Sequence, residues 1–367
     1  MKKIIALLLA LVMVLGMAAC GGEKEAAKDG ALKVSVMWYD YSDAYMGTVR
    51  KALDEKLTAL GVEFDNQDGK NDQTTQIDQV RTAIAGGANL IVVNQVNSGD
   101  AGTAEEILNI AGNVPVVFMN RAIGKDGTDI EVLKNHETAT FVGTDAPVAG
   151  HMQGKMIGEY LLEHYDDVDV NGDGQISYAM FMGQLGNDEA TFRTKYGVED
   201  ANIVLKEAGK PELVYFDANN PDKFQADPNG AWSAQAAVDF MQTNFSQFNE
   251  DQGNMIELVI ANNDGMALGA ITALQEKGYN KDGAHVVPVF GVDAIDDAKV
   301  KISEGSMAGT IMQDADGMAT AIAEIISGVQ GGASLKDAAA GIKDERISAD
   351  PECATKVYVA YAPYTGE

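Results

Sequence analysis

Asp169-Val170-Asn171-Gly172-Asp173-Gly174-Gln175-Ile176-Ser177 is the stretch whose residue types and spacing point most specifically to one chemistry. Oxygen-bearing side chains fall at positions 1, 3 and 5 and a glycine at 6. Gln175 offers a backbone carbonyl at 7 and Ser177 stands at 9, the pattern of a loop that wraps Ca²⁺. Ile176 at position 8 would anchor the loop to a core. Position 12 is Met180, where a helical calcium loop has a bidentate glutamate, so either the site is incomplete or a carboxylate arrives from elsewhere in the fold.

A second set of polar residues follows short apolar runs. Asp40 and Asp43 follow LKVSVMWY, Asn94-Gln95 follow LIVV, and Asn262-Asn263-Asp264 follow LVIA; Asp293 closes VPVFGVD and Gln313-Asp314 follow GTIM. None of these turns has the glycine spacing of a phosphate-binding loop, which disfavours a nucleotide. Short carboxylates and amides exchange hydrogen bonds with hydroxyls. Each could equally cap the helix that follows it. Together, and with Tyr45 and Trp232 as aromatic neighbours, they point to a hydroxyl-rich ligand.

The elements that must position these residues alternate along the chain. Leu32–Tyr39 reads as a strand, and Asp43–Leu60 as a helix with apolar residues at Met46, Val49, Leu53 and Leu57. Strand-like runs recur at Leu90–Asn94, Val114–Met119, Ala139–Gly143, Tyr178–Gly183, Leu213–Phe216, Glu257–Ala261, Val286–Val292 and Gly309–Met312. Helical segments lie between them, residues 120–138 are a polar excursion, and a last strand is expected near Lys356–Tyr361. Continuous apolar strands between helices indicate parallel, doubly wound α/β sheets. About ten such units in 367 residues make two Rossmann-like lobes the economical architecture. The expected first lobe is 31–113 plus 314–347, and the second 115–312 plus 348–367.

Composition narrows the function. Asp and Glu number 55 against 27 Lys and Arg, a formal charge of −28, which repels phosphate backbones and excludes nucleic acid as a partner. Two cysteines, Cys20 and Cys353, cannot build a disulfide framework, and four scattered histidines do not make a zinc site. Met1-Lys2-Lys3 followed by an uncharged apolar run to Ala19 reads as a signal peptide, too short to span a bilayer. Ala18-Ala19-Cys20-Gly21 resembles a lipobox, with Met17 where leucine is usual. Cys20 would then be lipidated, residues 20–30 would form a flexible tether, and the chain would be held at the outer face of a bacterial cell membrane.

DVNGDGQI at 169–176, MIELVIANNDGMALGA at 255–270 and VPVFGVDA at 287–294 resemble the bacterial galactose/glucose-binding family, solute-binding components of ABC transporters with the type I periplasmic-binding-protein fold. The resemblance covers nearly the whole chain after the signal segment. It implies a non-enzymatic protein, expected as a monomer, that captures D-galactose or D-glucose between two lobes joined by a three-segment hinge and delivers it to a permease. Alternatives on the same fold are another monosaccharide, or a sugar-sensing lipoprotein coupled to a membrane kinase or chemoreceptor. In that family a glutamate on the strand before the ANND turn completes the calcium loop. The implied structural Ca²⁺ ligands are therefore Asp169, Asn171, Asp173, Gln175, Ser177 and Glu257, with Ser177 in place of a longer amide.

The implied sugar contacts are Asp43, Tyr45 and Asn94, then Asn187, Glu189 and Arg193, and finally Trp232, Asn263, Asp293 and Gln313. Tyr45 and Trp232 would stack on the two pyranose faces, and Arg193 would donate bidentately to the ring oxygen and a hydroxyl. Asn187, Glu189 and Gln313 stand where the family has histidine, aspartate and asparagine.

Overall fold

The computed structural model describes residues 32–366, so the signal segment, Cys20 and the tether lie outside the described residues. Two sheets organise the chain. The first runs in the order β12 (Ile347–Ala349), β13 (Lys356–Val359), β5 (Ala139–Gly143), β4 (Val116–Met119), β3 (Leu90–Val93), β1 (Lys33–Trp38), β2 (Glu63–Asp68). The second runs β14 (Tyr361–Tyr364), β11 (Gly309–Gln313), β10 (Val289–Asp293), β9 (Leu258–Ala261), β6 (Ser177–Met182), β7 (Val214–Tyr215), with β8 (Gln225–Ala226) also on β6. Pairing is parallel except for β12 with β13 and β14 with β11. This is the doubly wound α/β architecture read from the sequence.

The central strands are buried on both faces, as apolar runs such as Leu90–Val93 and Val116–Met119 require. Helices α1 (Ala44–Leu60), α2 (Gln73–Ala85), α3 (Ala101–Ala111) and α4 (Thr128–Asn135) belong to the first lobe's crossovers. The second lobe carries α5 (Ala146–Val168), α6 (Asp188–Glu207), α7 (Ala234–Asn244), α8 (Asp264–Glu276) and α9 (Asp296–Ser303). Helices α10 (Ala315–Gln330) and α11 (Leu335–Ala340) return to the first lobe.

The lobe boundary expected at 113–115 is wrong. β4 and β5 continue the first sheet's parallel ladder, Ile91 to Val116 and Val116 to Ala139, so the chain first crosses between Gly143 and Ala146. It crosses again between Gln313 and Ala315. The third crossing is at Ala360, where the single expected terminal strand divides into β13 of the first sheet and β14 of the second; residues 347–359 therefore belong to the first lobe. Helix α4 occupies much of the stretch read as a polar excursion, and β2 (EFDNQD) is a strand too polar to be recognised, tolerated at a sheet edge.

Close packing of α5 on α6 sets the height of one wall of the cleft described below. A Cβ at Gly150 would lie 2.5 Å from the Phe192 carbonyl oxygen, and one at Gly154 2.3 Å from that of Tyr196. Only glycines let the two helix backbones approach this closely, and α6 carries Glu189 and Arg193 on its first turns.

Candidate functional site

The carboxyl ends of the parallel strands of both sheets meet at a narrow cleft, its cavity about 30 Å³. The first lobe contributes Tyr39, Asp43, Tyr45, Asn120 and Arg121; the second contributes Asn187, Glu189, Arg193, Trp232, Asn263, Asp293 and Gln313. Nine of the ten residues expected at a sugar site line it. Tyr39, Asn120 and Arg121 were not foreseen.

Capping and lining turn out to be compatible roles for the same side chain. Asp43 Oδ1 accepts from the Met46 N–H at 2.9 Å and caps α1, while Oδ2 accepts from the Tyr39 hydroxyl at 2.5 Å. Asn263 Oδ1 caps α8 through the Met266 N–H, and its amide donates to the Trp232 carbonyl at 3.2 Å.

The placement of Asn94 is corrected, and the hydrogen bonds of Asn187 and Arg193 narrow what each can offer a ligand. Asn94 is fully buried below the cleft and does not line it. Its oxygen accepts from the Tyr39 N–H at 3.3 Å and its amide donates to the Met119 carbonyl at 3.1 Å, so it ties together strand ends that carry lining residues. Asn187 lines the cleft, but its Oδ1 caps α6 through Ala190 and its Nδ2 donates across the lobes to Ser98 Oγ at 3.1 Å. Its shorter reach leaves it a lobe-to-lobe tie. Arg193 does not present a free fork. One terminal nitrogen donates to the Asn262 carbonyl at 2.9 Å, and the other to Gln313 Oε1 at 2.9 Å and the Tyr361 hydroxyl at 3.1 Å.

Further ties close the lips of the cleft. Arg121 donates to Gln184 Oε1, Lys125 to the Gly186 carbonyl, and Asn71 to the Asn229 carbonyl at 2.9 Å. Arg121 also lies 4.1 Å from the Tyr39 ring centroid and donates to the carbonyls of Gln95 and Val96.

Four polar atoms buried at the cleft have no partner among the described residues: Tyr45 Oη, Glu189 Oε2, Arg193 Nε and Gln313 Nε2. Unpaired buried polar groups cost about 1–3 kcal/mol each, so this surface is complementary to a ligand that both donates and accepts. Trp232, buried and at φ 56°, supplies an aromatic wall, its ring centroid 5.7 Å from the Arg193 guanidinium carbon. Asp227 holds the turn that carries it, accepting from the Asn229 N–H at 2.8 Å and from the Ser233 N–H and hydroxyl at 2.9 and 2.8 Å.

Burial raises the proton affinity of Asp43, Glu189 and Asp293, against the opposing pull of Arg193 on the last two. Beneath them Asp264 is pushed up to about 7 by burial, although Thr310 and the Ile295 N–H donate to it. An unfolded aspartate ionises near pH 4, so between about pH 4 and 7 the unfolded chain loses protons that the folded one keeps. Stability is therefore expected to fall as pH rises through that window. Asp344, held down to about 2 mainly by its hydrogen bonds from Arg346, acts with opposite sign only below that window. Urea unfolding midpoints should be higher at pH 5 than at pH 8, with a flatter profile in Asp264→Asn, whose amide can serve both partners. A profile that rises from pH 5 to 8 contradicts this reading.

The loop 169–177 follows directly from α5. Gly174 at φ 81° makes its sharp turn, and Tyr165 donates to the Gly174 carbonyl at 3.1 Å. Glu257 stands against it: Oε1 accepts from the N–H of Val170 and Asn171, and Oε2 from that of Ser177, at 2.9, 3.3 and 2.9 Å. Asp169 Oδ1 is buried with no partner, and burial raises the Glu257 pKa. Asp173 Oδ1 accepts from the Gln175 N–H, and the Ser177 hydroxyl donates to the Met255 carbonyl. Among the described residues no three acidic, histidine or cysteine side chains gather closely enough to hold a metal. The donors that converge are all oxygens with a buried negative excess, which fits a hard cation; a cation here would need Asp173 to turn inward.

The comparisons with known proteins agree with this architecture. A family profile described as a periplasmic binding protein domain matches residues 34–334. The D-galactose/methyl-galactoside binding periplasmic protein MglB of Haemophilus influenzae is 31% identical over 83% of this chain and 83% of its own length. A putative rhizopine-binding protein of Rhizobium meliloti is 28% identical over 83% and 85%. Among solved structures, an ABC transporter solute-binding protein from Clostridium phytofermentans with bound β-D-glucose superposes with a TM-score of 0.68 at 20% identity, covering 91% of this chain and 94% of that one. The two-sheet fold, the cleft at the strand ends and a profile match across most of the chain lead to one conclusion: this chain belongs to the periplasmic binding protein family.

Proposed function

We propose that the protein captures a monosaccharide of the D-galactose/D-glucose class between its lobes, outside the cytoplasm, and delivers it to an ABC transporter permease. The observation that carries this reading is the cleft itself: Tyr45 and Trp232 on its walls, with donors and acceptors at Arg193, Gln313, Tyr45 and Glu189 that none of the described residues satisfies. A pyranose has apolar C–H faces for the aromatic rings and a rim of hydroxyls for the polar atoms. The galactoside named for the Haemophilus relative and the β-D-glucose bound in the Clostridium structure support the class. Tyr39, Asp43, Tyr45 and Arg121 sit on one lobe and Arg193, Trp232 and Asp293 on the other. A ligand touching both sets favours the closed form by its differential contacts, which gives the permease a shape to read.

Another monosaccharide remains the second reading. Asn187 is spent on Ser98, and Gln313 presents only its amide nitrogen, so the hydroxyl pattern selected differs from that of a site with histidine and asparagine there. The proposal includes a lipid anchor at Cys20 and a structural Ca²⁺ held by Asp169, Asn171, Asp173, the Gln175 carbonyl, Ser177 and Glu257. The cation would offset the buried charge of Glu257 and pin α5 to β9.

The test is thermal unfolding of the purified protein against D-galactose, D-glucose, pentoses and myo-inositol, in calcium and in EDTA. A ligand at a hundredfold excess over Kd adds about 2.7 kcal/mol to stability. Galactose or glucose should raise the midpoint, and EDTA should lower it in wild type but not in Glu257→Gln. A shift with another sugar alone moves the ligand assignment to the second reading, no shift with any sugar overturns the function, and indifference to EDTA overturns the calcium site.

A further inference from the structure

We propose that Gln153, a fully buried residue of α5 that does not line the cleft, is a positioning residue that sets ligand affinity by holding β9 and β10 apart. The inference rests on the cleft being the ligand site. β9 and β10 pair only at Val259 with Val289 and Ile260 with Phe290; beyond that level the strands separate. Just past the last pair, Asn262 donates its N–H to Phe181 on the other neighbour, β6. Past that pair the carbonyls of Ala261 and Gly291 stand on either side of the split. The single Gln153 side-chain amide fills it, donating one hydrogen to each at 3.0 and 3.1 Å.

Everything immediately beyond the split belongs to the cleft. The Asn262 carbonyl accepts from Arg193, Asn263 holds the Trp232 carbonyl, and Asp293 and Ala294 turn away at φ 126° and 54°. Asp264 secures that turn from the other strand, and a Cβ at Gly291 would stand 2.3 Å from its Oδ1. The spacing between Asn263 and Asp293 is therefore set by two wedges, Asp264 above and Gln153 below. Among side chains of this length only glutamine supplies two hydrogens from one planar nitrogen, which is what two facing carbonyls need. The opposite wall is kept clear for it: a Cβ at Gly197 would lie 3.2 Å from Gln153 Oε1.

The experiment compares wild type, Gln153→Leu and Gln153→Glu by calorimetric titration with D-galactose and D-glucose, and by amide hydrogen exchange. Gln153→Leu should weaken binding at least tenfold and raise exchange at residues 261–264 and 291–295, with far-UV circular dichroism unchanged. Gln153→Glu can donate only when protonated, so its affinity relative to wild type should rise as pH falls from 8 to 5. The titratable groups around the split are Asp264, Asp293 and Arg193, present in both proteins and cancelled by that ratio. Binding by Gln153→Leu within twofold of wild type, or a Gln153→Glu profile parallel to wild type, overturns the proposal. Should Gln153→Leu fail to fold, the Gln153→Glu profile decides. If wild type binds neither sugar, the monosaccharide reading fails by itself, and the exchange pattern alone judges Gln153.

Discussion

Replacing Arg193 with methionine should abolish measurable sugar binding and cost about 3–5 kcal/mol of stability, the loss that follows when one partner of a buried charged network is removed. Arg193 is 3% exposed, and its guanidinium makes three hydrogen bonds, to the Asn262 carbonyl, Gln313 Oε1 and the Tyr361 hydroxyl. It is also the positive charge that offsets burial at Glu189 and Asp293. Methionine fills much of the same volume, so the effect isolates charge and hydrogen bonding from cavity formation. Arg193→Lys keeps the charge but not the fork, and should fall between the two. Equilibrium urea unfolding and sugar titration measure both quantities. A stable Arg193→Met protein that still binds sugar within fivefold of wild type would contradict the assigned role.

The second large effect is expected from a single methyl group. A Cβ at Gly183, at the end of β6, would lie 2.0 Å from Cε3 of the Trp232 ring. Neither the strand nor the ring can yield by that much, because the ring is buried between Gly183 and the cleft and its turn is fixed by Asp227. Gly183→Ala should therefore expel Trp232 from the cleft wall and weaken sugar binding by about a hundredfold, roughly 2.7 kcal/mol. The chain has two tryptophans, and Trp38 is buried in β1 with its indole N–H on Asn66 Oδ1 at 2.7 Å. Fluorescence changes on adding sugar thus report on Trp232. Wild type should show a saturable change that Gly183→Ala lacks; an unchanged signal and affinity in the variant would remove Trp232 from the site.

How far the sequence could be read depends on which forces were local. Strand ends such as Asn263 and Asp293 were legible because an uninterrupted apolar run must stop before a polar residue can face a cleft. Asn120-Arg121 follow Val116–Met119 in the same way that Asn94-Gln95 follow Leu90–Val93, so the signal that could have found them was present. Tyr39 was hidden because it continues an apolar strand, and only the hydroxyl bond to Asp43 reveals its polar role. Asn94 was placed one layer too high, and the partly spent hydrogen bonds of Asn187 and Arg193 were hidden, because their partners come from distant segments of which chain order says nothing. The lobe boundary failed for the same reason. Nothing local distinguishes a strand that joins the first sheet from one that opens the second; the parallel ladder from β3 through β4 to β5 decides it.

The most direct test of the central claim is calorimetric titration of the wild-type protein with D-galactose and D-glucose in calcium. The account predicts saturable binding of one sugar per chain, lost in Arg193→Met. No heat with either hexose, together with no displacement by pentoses or myo-inositol, would contradict a monosaccharide site at this cleft.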